Sequence, residues 1–209
     1  MIRFPLSEIL RRLPRVLLGL YLFGAGIALM VEADLGLGPW DVFHQGVSEL
    51  TGIAIGNVII ITAFFVLLGF IPLHEKVGLG TILNVFLIGM SVNATLAVIP
   101  DISAMTARVL LMVAGPIVIA IGSGFYIGGG LGPGPRDGLM TGFARRGIDV
   151  WKARLGIEIV VLIVGLLLGG TAGIGTIWFA FGIGPMVQFF LPRLTMSEVP
   201  TSSGLPAAT

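Results

Sequence analysis

Six long apolar stretches constrain the fold of this chain more than any other feature of its sequence. A helix needs about 20 mostly apolar residues to cross a bilayer, whereas the strands of a membrane barrel alternate in hydropathy. The stretches here are continuous, 56% of the 209 residues are hydrophobic, and only 11% are charged. A soluble core of this size could not bury so much apolar surface. The sequence therefore predicts an all-α membrane protein, with spans at 16–33, 54–73, 79–99, 109–128, 154–170 and 173–191.

The N-terminal residues allow one other interpretation, because basic residues followed by an apolar run and a small residue resemble a secretory signal peptide. The apolar run is long for a signal peptide, and the first span has a counterpart in the second half of the chain. We therefore expect this helix to be retained.

Basic residues are unevenly distributed between the predicted spans. The loop 34–53 contains no Lys or Arg. Cytoplasmic loops of membrane proteins carry an excess of these residues. We therefore expect both termini and the loop 129–153 to be cytoplasmic, in a multi-pass protein of the cytoplasmic membrane. The basic residues before the first span and between the fourth and fifth spans are Arg3, Arg11, Arg12, Arg15, Arg136, Arg145, Arg146, Lys152 and Arg154.

One motif occurs twice. Residues 36–46 (GLGPWDVFHQG) and 132–142 (GPGPRDGLMTG) share the pattern G-x-G-P-x-D followed five residues later by Gly, at an offset of 96. At an offset of 95, residues 78–89 match 173–184. The sequence thus predicts two repeats, at 14–100 and 108–192, between a cytoplasmic segment 1–13 and a polar cytoplasmic tail 193–209. Three spans per repeat is an odd number, so we expect the repeats to have inverted orientations in the membrane.

The residue types of the motif predict a short helix after each copy. Glycines permit unusual backbone angles, Pro is tolerated in a first helical turn, and Asp is a preferred N-cap. Helices over about 41–50 and 137–146 follow, with Asp41 and Asp137 as caps. Neither helix is long enough to span, so each is either re-entrant or interfacial.

The motif residues form the candidate substrate or ion site. Each has a structural alternative: the aspartates as caps, Trp40 as an interfacial anchor, and Glu158 as the partner of Arg154. His44 is expected in a solvated loop, and Arg136 as the charge partner of Asp137. The candidate site residues are Gly38, Pro39, Trp40, Asp41, Gly134, Pro135, Arg136 and Asp137, with Asn84 and Glu158 on a polar path.

Catalytic chemistry has little support. The chain has no Cys and two His, so thiolate and multi-histidine metal sites are excluded. The glycine run 128–134 lacks the Lys-Ser/Thr of a phosphate-binding loop and the preceding strand of a dinucleotide fingerprint. We expect no enzyme activity, no cofactor, no metal and no nucleic-acid partner. The spacing of Gly165 and Gly169 suits close helix packing, within the chain or in a homo-oligomer.

The six predicted spans with GLGPWD after the first and GPGPRDG after the fourth resemble the YczE/YitT-type bacterial integral membrane proteins. The resemblance covers roughly residues 14–192, and we expect no soluble C-terminal domain of the kind found in some YitT relatives. It implies the fold and a bacterial membrane location, but no reaction or substrate.

The sequence alone is compatible with three functions. Inverted repeats with short helices favour a small-molecule or ion transporter, with the bilayer and a small anionic ligand or lipid headgroup as partners. A structural or assembly role beside another protein is the main alternative. An intramembrane enzyme has the least support, since no catalytic set is present.

Overall fold

The computed structural model describes residues 5–196, and that part of the chain is helical with no strand. The helices are α1 (Leu6–Ala33), α2 (Pro39–Thr51), α3 (Ile55–Leu68), α4 (Phe70–Leu73), α5 (Leu79–Leu96), α6 (Met105–Gly128), α7 (Pro135–Ala144), α8 (Val150–Leu167) and α9 (Ile174–Leu194). The all-helical prediction is confirmed.

Within residues 5–196, five helical segments are long and apolar enough to cross a membrane: α1, the nearly continuous α3–α4, α5, α6 and α9. They coincide with five of the predicted spans. The remaining predicted span, 154–170, corresponds to α8, which has 18 residues and includes Lys152, Arg154 and Glu158. These charges separate α8 from the other five by composition, so its passage through the membrane stays a prediction.

Part of the predicted N-terminal segment 1–13 is helical, because α1 begins at Leu6. Glu8 accepts a hydrogen bond from Arg12 Nε at 2.6 Å, one helical turn away. Arg12 also donates to the carbonyl oxygen of Gly129 at 3.0 Å. These bonds tie the first turns of α1 to the end of α6. Residues 1–4 and most of the predicted tail, from 197 onward, lie outside the described residues.

Helices α1 and α6 pack against each other at the centre of the molecule through glycines. A Cβ atom on Gly19 would lie 2.7 Å from the Gly122 carbonyl oxygen, and one on Gly26 would lie 2.7 Å from that of Gly115. Small residues allow two helix backbones to approach this closely. The contacts are reciprocal, because Gly115 and Gly122 stand 96 residues after Gly19 and Gly26.

Each motif loop is held by a helix from the other half of the chain. The Gly80 N–H, in α5, donates to Leu131 O, and the Gly175 N–H, in α9, donates to Leu35 O, both at 2.8 Å. The glycine that follows each of these leucines, Gly36 or Gly132, has a positive φ, of 105° and 129° respectively. Such angles favour glycine, which explains its presence in both copies.

The short helices begin earlier than predicted. Gly38 and Gly134 are the N-cap residues, and the prolines occupy the first helical positions. Asp41 and Asp137 therefore lie inside the first turn and make no cap hydrogen bond, so the prediction that they are caps was wrong. Proline is favoured at the first helical position, because the N–H that it lacks would have no partner within the helix there.

Helix α2 is enclosed by other helices. Gly46 and Gly165 lie against the backbones of α8 and α2, respectively, in a close crossing of these two helices. Gly165 therefore serves packing within the chain, whereas Gly169 has a φ of 98° and open space around it.

One difference between the two halves concerns how α3 and α5 pack compared with α8 and α9. Helices α3 and α5 are in close contact at Gly56 and Gly89. Asn93 Oδ1 accepts a hydrogen bond from the Gly56 N–H at 2.9 Å, and Asn93 Nδ2 donates to Asn57 Oδ1 at 3.0 Å. The corresponding helices of the second half, α8 and α9, have no comparable packing along their length.

Candidate functional site

A cavity of about 210 Å³ lies between the two halves of the chain. Its wall is formed by residues of both short helices and of the long helices around them. Every residue of the predicted site and polar path lies on this wall: Gly38, Pro39, Trp40, Asp41, Asn84, Gly134, Pro135, Arg136, Asp137 and Glu158.

Arg136 joins the two copies of the motif. Its Nη2 lies 3.7 Å from Asp41 Oδ1, and its guanidinium carbon lies 4.8 Å from the centroid of the Trp40 ring. The distance to Asp41 is longer than a hydrogen bond, so this is an ion pair that leaves donors of Arg136 unused. Trp40 is only 8% exposed, so it lies inside the bundle and does not serve as a surface anchor.

His44 lies one turn after Asp41 and is completely buried. Its Nδ1 is 3.2 Å from Asp41 Oδ1, while its Nε2 has no hydrogen-bond partner within residues 5–196. The expectation of a solvated loop histidine was wrong, because α2 is enclosed by neighbouring helices. Asp41 thus stands between a histidine of its own helix and an arginine of the other short helix.

Asp137 has a different environment. The Tyr126 hydroxyl donates to Asp137 Oδ2 at 2.5 Å and accepts from the Gly134 N–H at 3.1 Å. The tyrosine side chain is therefore the anchor of the second motif. Arg136 pairs with Asp41 and not with the adjacent Asp137, because successive residues of a helix point in different directions. The expected pairing of Arg136 with Asp137 was wrong.

Two further polar residues complete the wall. The Arg154 Nε donates to Glu158 Oε1 at 2.9 Å, as expected for residues one turn apart. Asn84 is 9% exposed, and its amide makes no hydrogen bond with any described residue. The rest of the wall is largely apolar and includes Ile88, Ile119 and Ile183.

Several polar atoms at the cavity have unused hydrogen-bonding capacity. Trp40 Nε1 is buried without a partner in the described chain. Asp41 and Asp137 each make their contacts through one carboxylate oxygen, so the other oxygen accepts nothing from residues 5–196. Buried polar groups are normally satisfied, so the buried Trp40 Nε1 indicates a place where a ligand or water binds, beside the two carboxylate oxygens. No group of three potential metal-binding side chains occurs within the described residues.

The contacts of Tyr126 and His44 were not predicted, although the sequence contains a signal for each of them. Tyr126 is a polar-tipped residue within a span, where hydroxyl groups need an internal partner. His44 follows Asp41 at the i,i+3 spacing that brings side chains together on a helix.

Comparison with known proteins places the chain in a family. A family model described as "Family of unknown function (DUF6198)" matches residues 10–192. The chain belongs to this family. It is 37% identical over 177 residues to an uncharacterized protein of Haemophilus influenzae, covering 84% of this chain and 81% of that one.

A second relative supports the membrane location. The chain is 33% identical over 179 residues to the uncharacterized membrane protein YczE of Bacillus subtilis, covering 84% and 83% of the two chains. The resemblance to YczE-type proteins is thereby confirmed. No solved structure matches the chain.

Proposed function

We propose that this protein is a transporter of the bacterial cytoplasmic membrane and that its substrate binds in the cavity between the two motif segments. One observation carries this proposal: Arg136 of one segment faces Asp41 of the other across the cavity, at 3.7 Å. A ligand that carries both a positive and a negative group can replace the contacts of this loose ion pair without leaving Arg136 or Asp41 unpaired.

The proposed architecture is a pair of inverted repeats in which α8 provides the sixth span. The reciprocal glycine contacts of α1 and α6, and the matched bonds of Gly80 and Gly175 to the opposite motif loops, support a twofold relationship between the halves. With three spans in each half, that relationship would present one motif to each side of the membrane. Transporters of this design bind substrate near the midplane, between the repeats.

The energetic cost of the site supports a functional role. Ionisable groups within membrane-spanning bundles are expensive and usually mark substrate or ion pathways. Here Asp41 is 3% exposed and His44 is fully buried, in a chain whose helix contacts are otherwise mostly apolar. A purely structural bundle would gain nothing evident from these groups.

The ligand we propose carries an anionic group that binds Arg136. Its source is either a small solute or the headgroup of a lipid. Arg136 sits in the first turn of α7, where the N-terminal helix dipole also favours an anion. We propose no catalytic step and no cofactor.

Ligand binding and transport by the purified protein test this function. Thermal unfolding is measured in detergent with sodium acetate, sodium phosphate, phosphoethanolamine or choline chloride. Compounds that bind are then applied to proteoliposomes on a solid-supported membrane electrode. We expect stabilisation by anions or zwitterions, and currents for the compounds that bind. Stabilisation by choline alone would contradict the role of Arg136.

A matched pair of variants makes the test specific. Arg136→Gln should remove both the stabilisation and the current. Arg193 also lies over an aromatic ring, that of Phe189, but it is not on the cavity wall. Arg193→Gln should therefore change neither the stabilisation nor the current. Absence of any binding or current in a folded wild-type protein would instead favour a structural or assembly role.

A further inference from the structure

We infer that the cavity opens sideways between α8 and α9 and binds a zwitterionic amphiphile, whose ammonium and phosphate or carboxylate groups enter the cavity while its acyl chain stays between these two helices. The inference uses the same cavity as the proposed function, but it does not require that the molecule be moved across the membrane.

The opening follows from a difference in sequence between the two halves. Helices α3 and α5 meet at Gly56 and Gly89, where a Cβ on Gly56 would lie 2.1 Å from the Gly89 carbonyl oxygen. At the offset of 95, Trp151 corresponds to Gly56 and Gly184 to Gly89. An indole ring does not fit where only a hydrogen atom fits, so α8 cannot pack on α9 as α3 packs on α5, and Trp151 is 63% exposed in the structure.

The space around Gly184 is the direct sign of the gap. A Cβ atom built there would have no neighbour within 4 Å, although Gly184 lies on the cavity wall. Glu158, on α8, lies on the same wall. The gap between the two helices is thus continuous with the cavity. Outside it, α8 and α9 expose large apolar side chains such as Val160, Ile163 and Phe181, which suit contact with acyl chains.

The size of the cavity limits what can enter it. Pockets for drug-sized ligands measure about 300–1,000 Å³. The cavity here, at about 210 Å³, therefore accommodates a polar headgroup but not an acyl chain in addition. An amphiphile would have to leave its chain in the gap, where the surrounding helix surfaces are apolar.

The polar atoms of the cavity favour a headgroup that carries both a positive and a negative charge. Arg136 offers unused donors, while Asp41 and Asp137 each offer a carboxylate oxygen without a partner among residues 5–196. Two arginines and three acidic residues line the wall, so a ligand with only negative charge would leave carboxylates unmatched. An ammonium group near the aspartates and a phosphate or carboxylate at Arg136 would match both.

Quenching of Trp40 fluorescence by brominated lipids tests this inference. Trp40 is kept as the single tryptophan by Trp151→Phe and Trp178→Phe, and the protein is placed in nanodiscs containing lipids brominated at the middle of the acyl chain. We expect brominated phosphatidylethanolamine to quench Trp40 at least about twofold more than brominated phosphatidylglycerol. Gly184→Leu, which fills the gap, should reduce this quenching by about half or more. Ala180→Leu, at an exposed position of α9 that is not on the cavity wall, should not reduce it.

A reporter on the outer surface makes the result decisive. A chain whose only tryptophan replaces Phe181, which is 80% exposed, should be quenched by both lipids. Quenching of this reporter without quenching of Trp40 would overturn the sideways opening. Equal quenching of Trp40 by both lipids would overturn the zwitterionic assignment. Stabilisation by free phosphoethanolamine without lipid quenching would overturn the amphiphile but leave the proposed transporter standing. Quenching of Trp40 by lipid without any transport current would support the bound amphiphile and contradict the proposed transporter.

Discussion

The guanidinium of Arg136 lies over the indole ring of Trp40, and these two residues occupy the same position in the two copies of the motif. The repeat therefore places unlike residues at equivalent positions and brings them into contact at the centre of the molecule. Asp41, beside Trp40, shares the same arginine. One side chain thus links the two motif segments by charge and by stacking.

The link predicts non-additive effects of substitution at Arg136 and Asp41. Arg136→Gln leaves a buried carboxylate without its cation, whereas Asp41→Asn in the same chain removes that carboxylate charge. We expect the double variant to be more stable than the sum of the single effects indicates, with a coupling of about 0.5–3 kcal/mol in the free energy of unfolding. Unfolding of the four proteins in mixed micelles measures it.

A second ion pair provides the comparison. Arg108 contacts Asp34 at 2.8 Å, but the Asp34 side chain is 62% exposed. Solvent screening should limit its coupling to about 0–1 kcal/mol. A coupling at Arg136 and Asp41 no larger than this would mean that the two charges act independently.

Removal of the Tyr126 hydroxyl should destabilise the second motif. Tyr126→Phe deletes the donor to Asp137 and leaves the buried Gly134 N–H without an acceptor. An unsatisfied buried group costs about 1–3 kcal/mol, so a clear fall in the unfolding temperature is expected. Tyr21→Phe is the control, because Tyr21 is half exposed and is the only other tyrosine of the chain. Similar behaviour of the two variants would refute an anchoring role for Tyr126.

The sequence predicted much of the fold because its strongest signals are local. Each apolar run had to become a helix, and the glycines of the motif marked loops whose backbone excludes most side chains. The N-cap prediction was wrong for an equally local reason, because both proline and aspartate are favoured near the start of a helix. Proline occupies the first helical position, since its ring fixes a helical φ, and this places the aspartate inside the first turn.

The partners of the site residues could not be predicted in the same way. The Asp41 contact with Arg136, 95 residues later, depends on how the two motif segments meet, which the repeat suggests but does not specify. The burial of His44 depends on α8 crossing α2 at Gly46, and no local pattern encodes that crossing. Sequence periodicity describes one element at a time, whereas a site between repeats is a property of their packing.

Cysteine labelling from the two sides of the membrane tests whether α8 crosses it. Glu49, at the exposed end of α2, and Ser197, after α9, are replaced singly in this cysteine-free chain. Five segments separate them if α8 spans, so the two cysteines should react with an impermeant maleimide from opposite sides. The arginine distribution predicts that Glu49→Cys reacts from outside. Reaction of both from one side would leave α8 on the surface and end the inverted-repeat proposal.

The unequal packing of the two helix pairs predicts unequal formation of disulfides. Asn57 and Asn93 are hydrogen-bonded at 3.0 Å beside the close crossing of α3 and α5 at Gly56 and Gly89, so we expect cysteines at these positions to approach closely enough to form a disulfide. Lys152 and Gln188 stand at the equivalent positions of α8 and α9, 95 residues later. Because α8 and α9 do not pack together there, the second pair should stay reduced under mild oxidation that links the first. Each double variant needs only its two new cysteines, and a shift in gel mobility that reverses with reductant reports the bond. Rapid linkage of both pairs would mean that α8 and α9 meet as closely as α3 and α5, and the sideways opening of the cavity would have no structural basis.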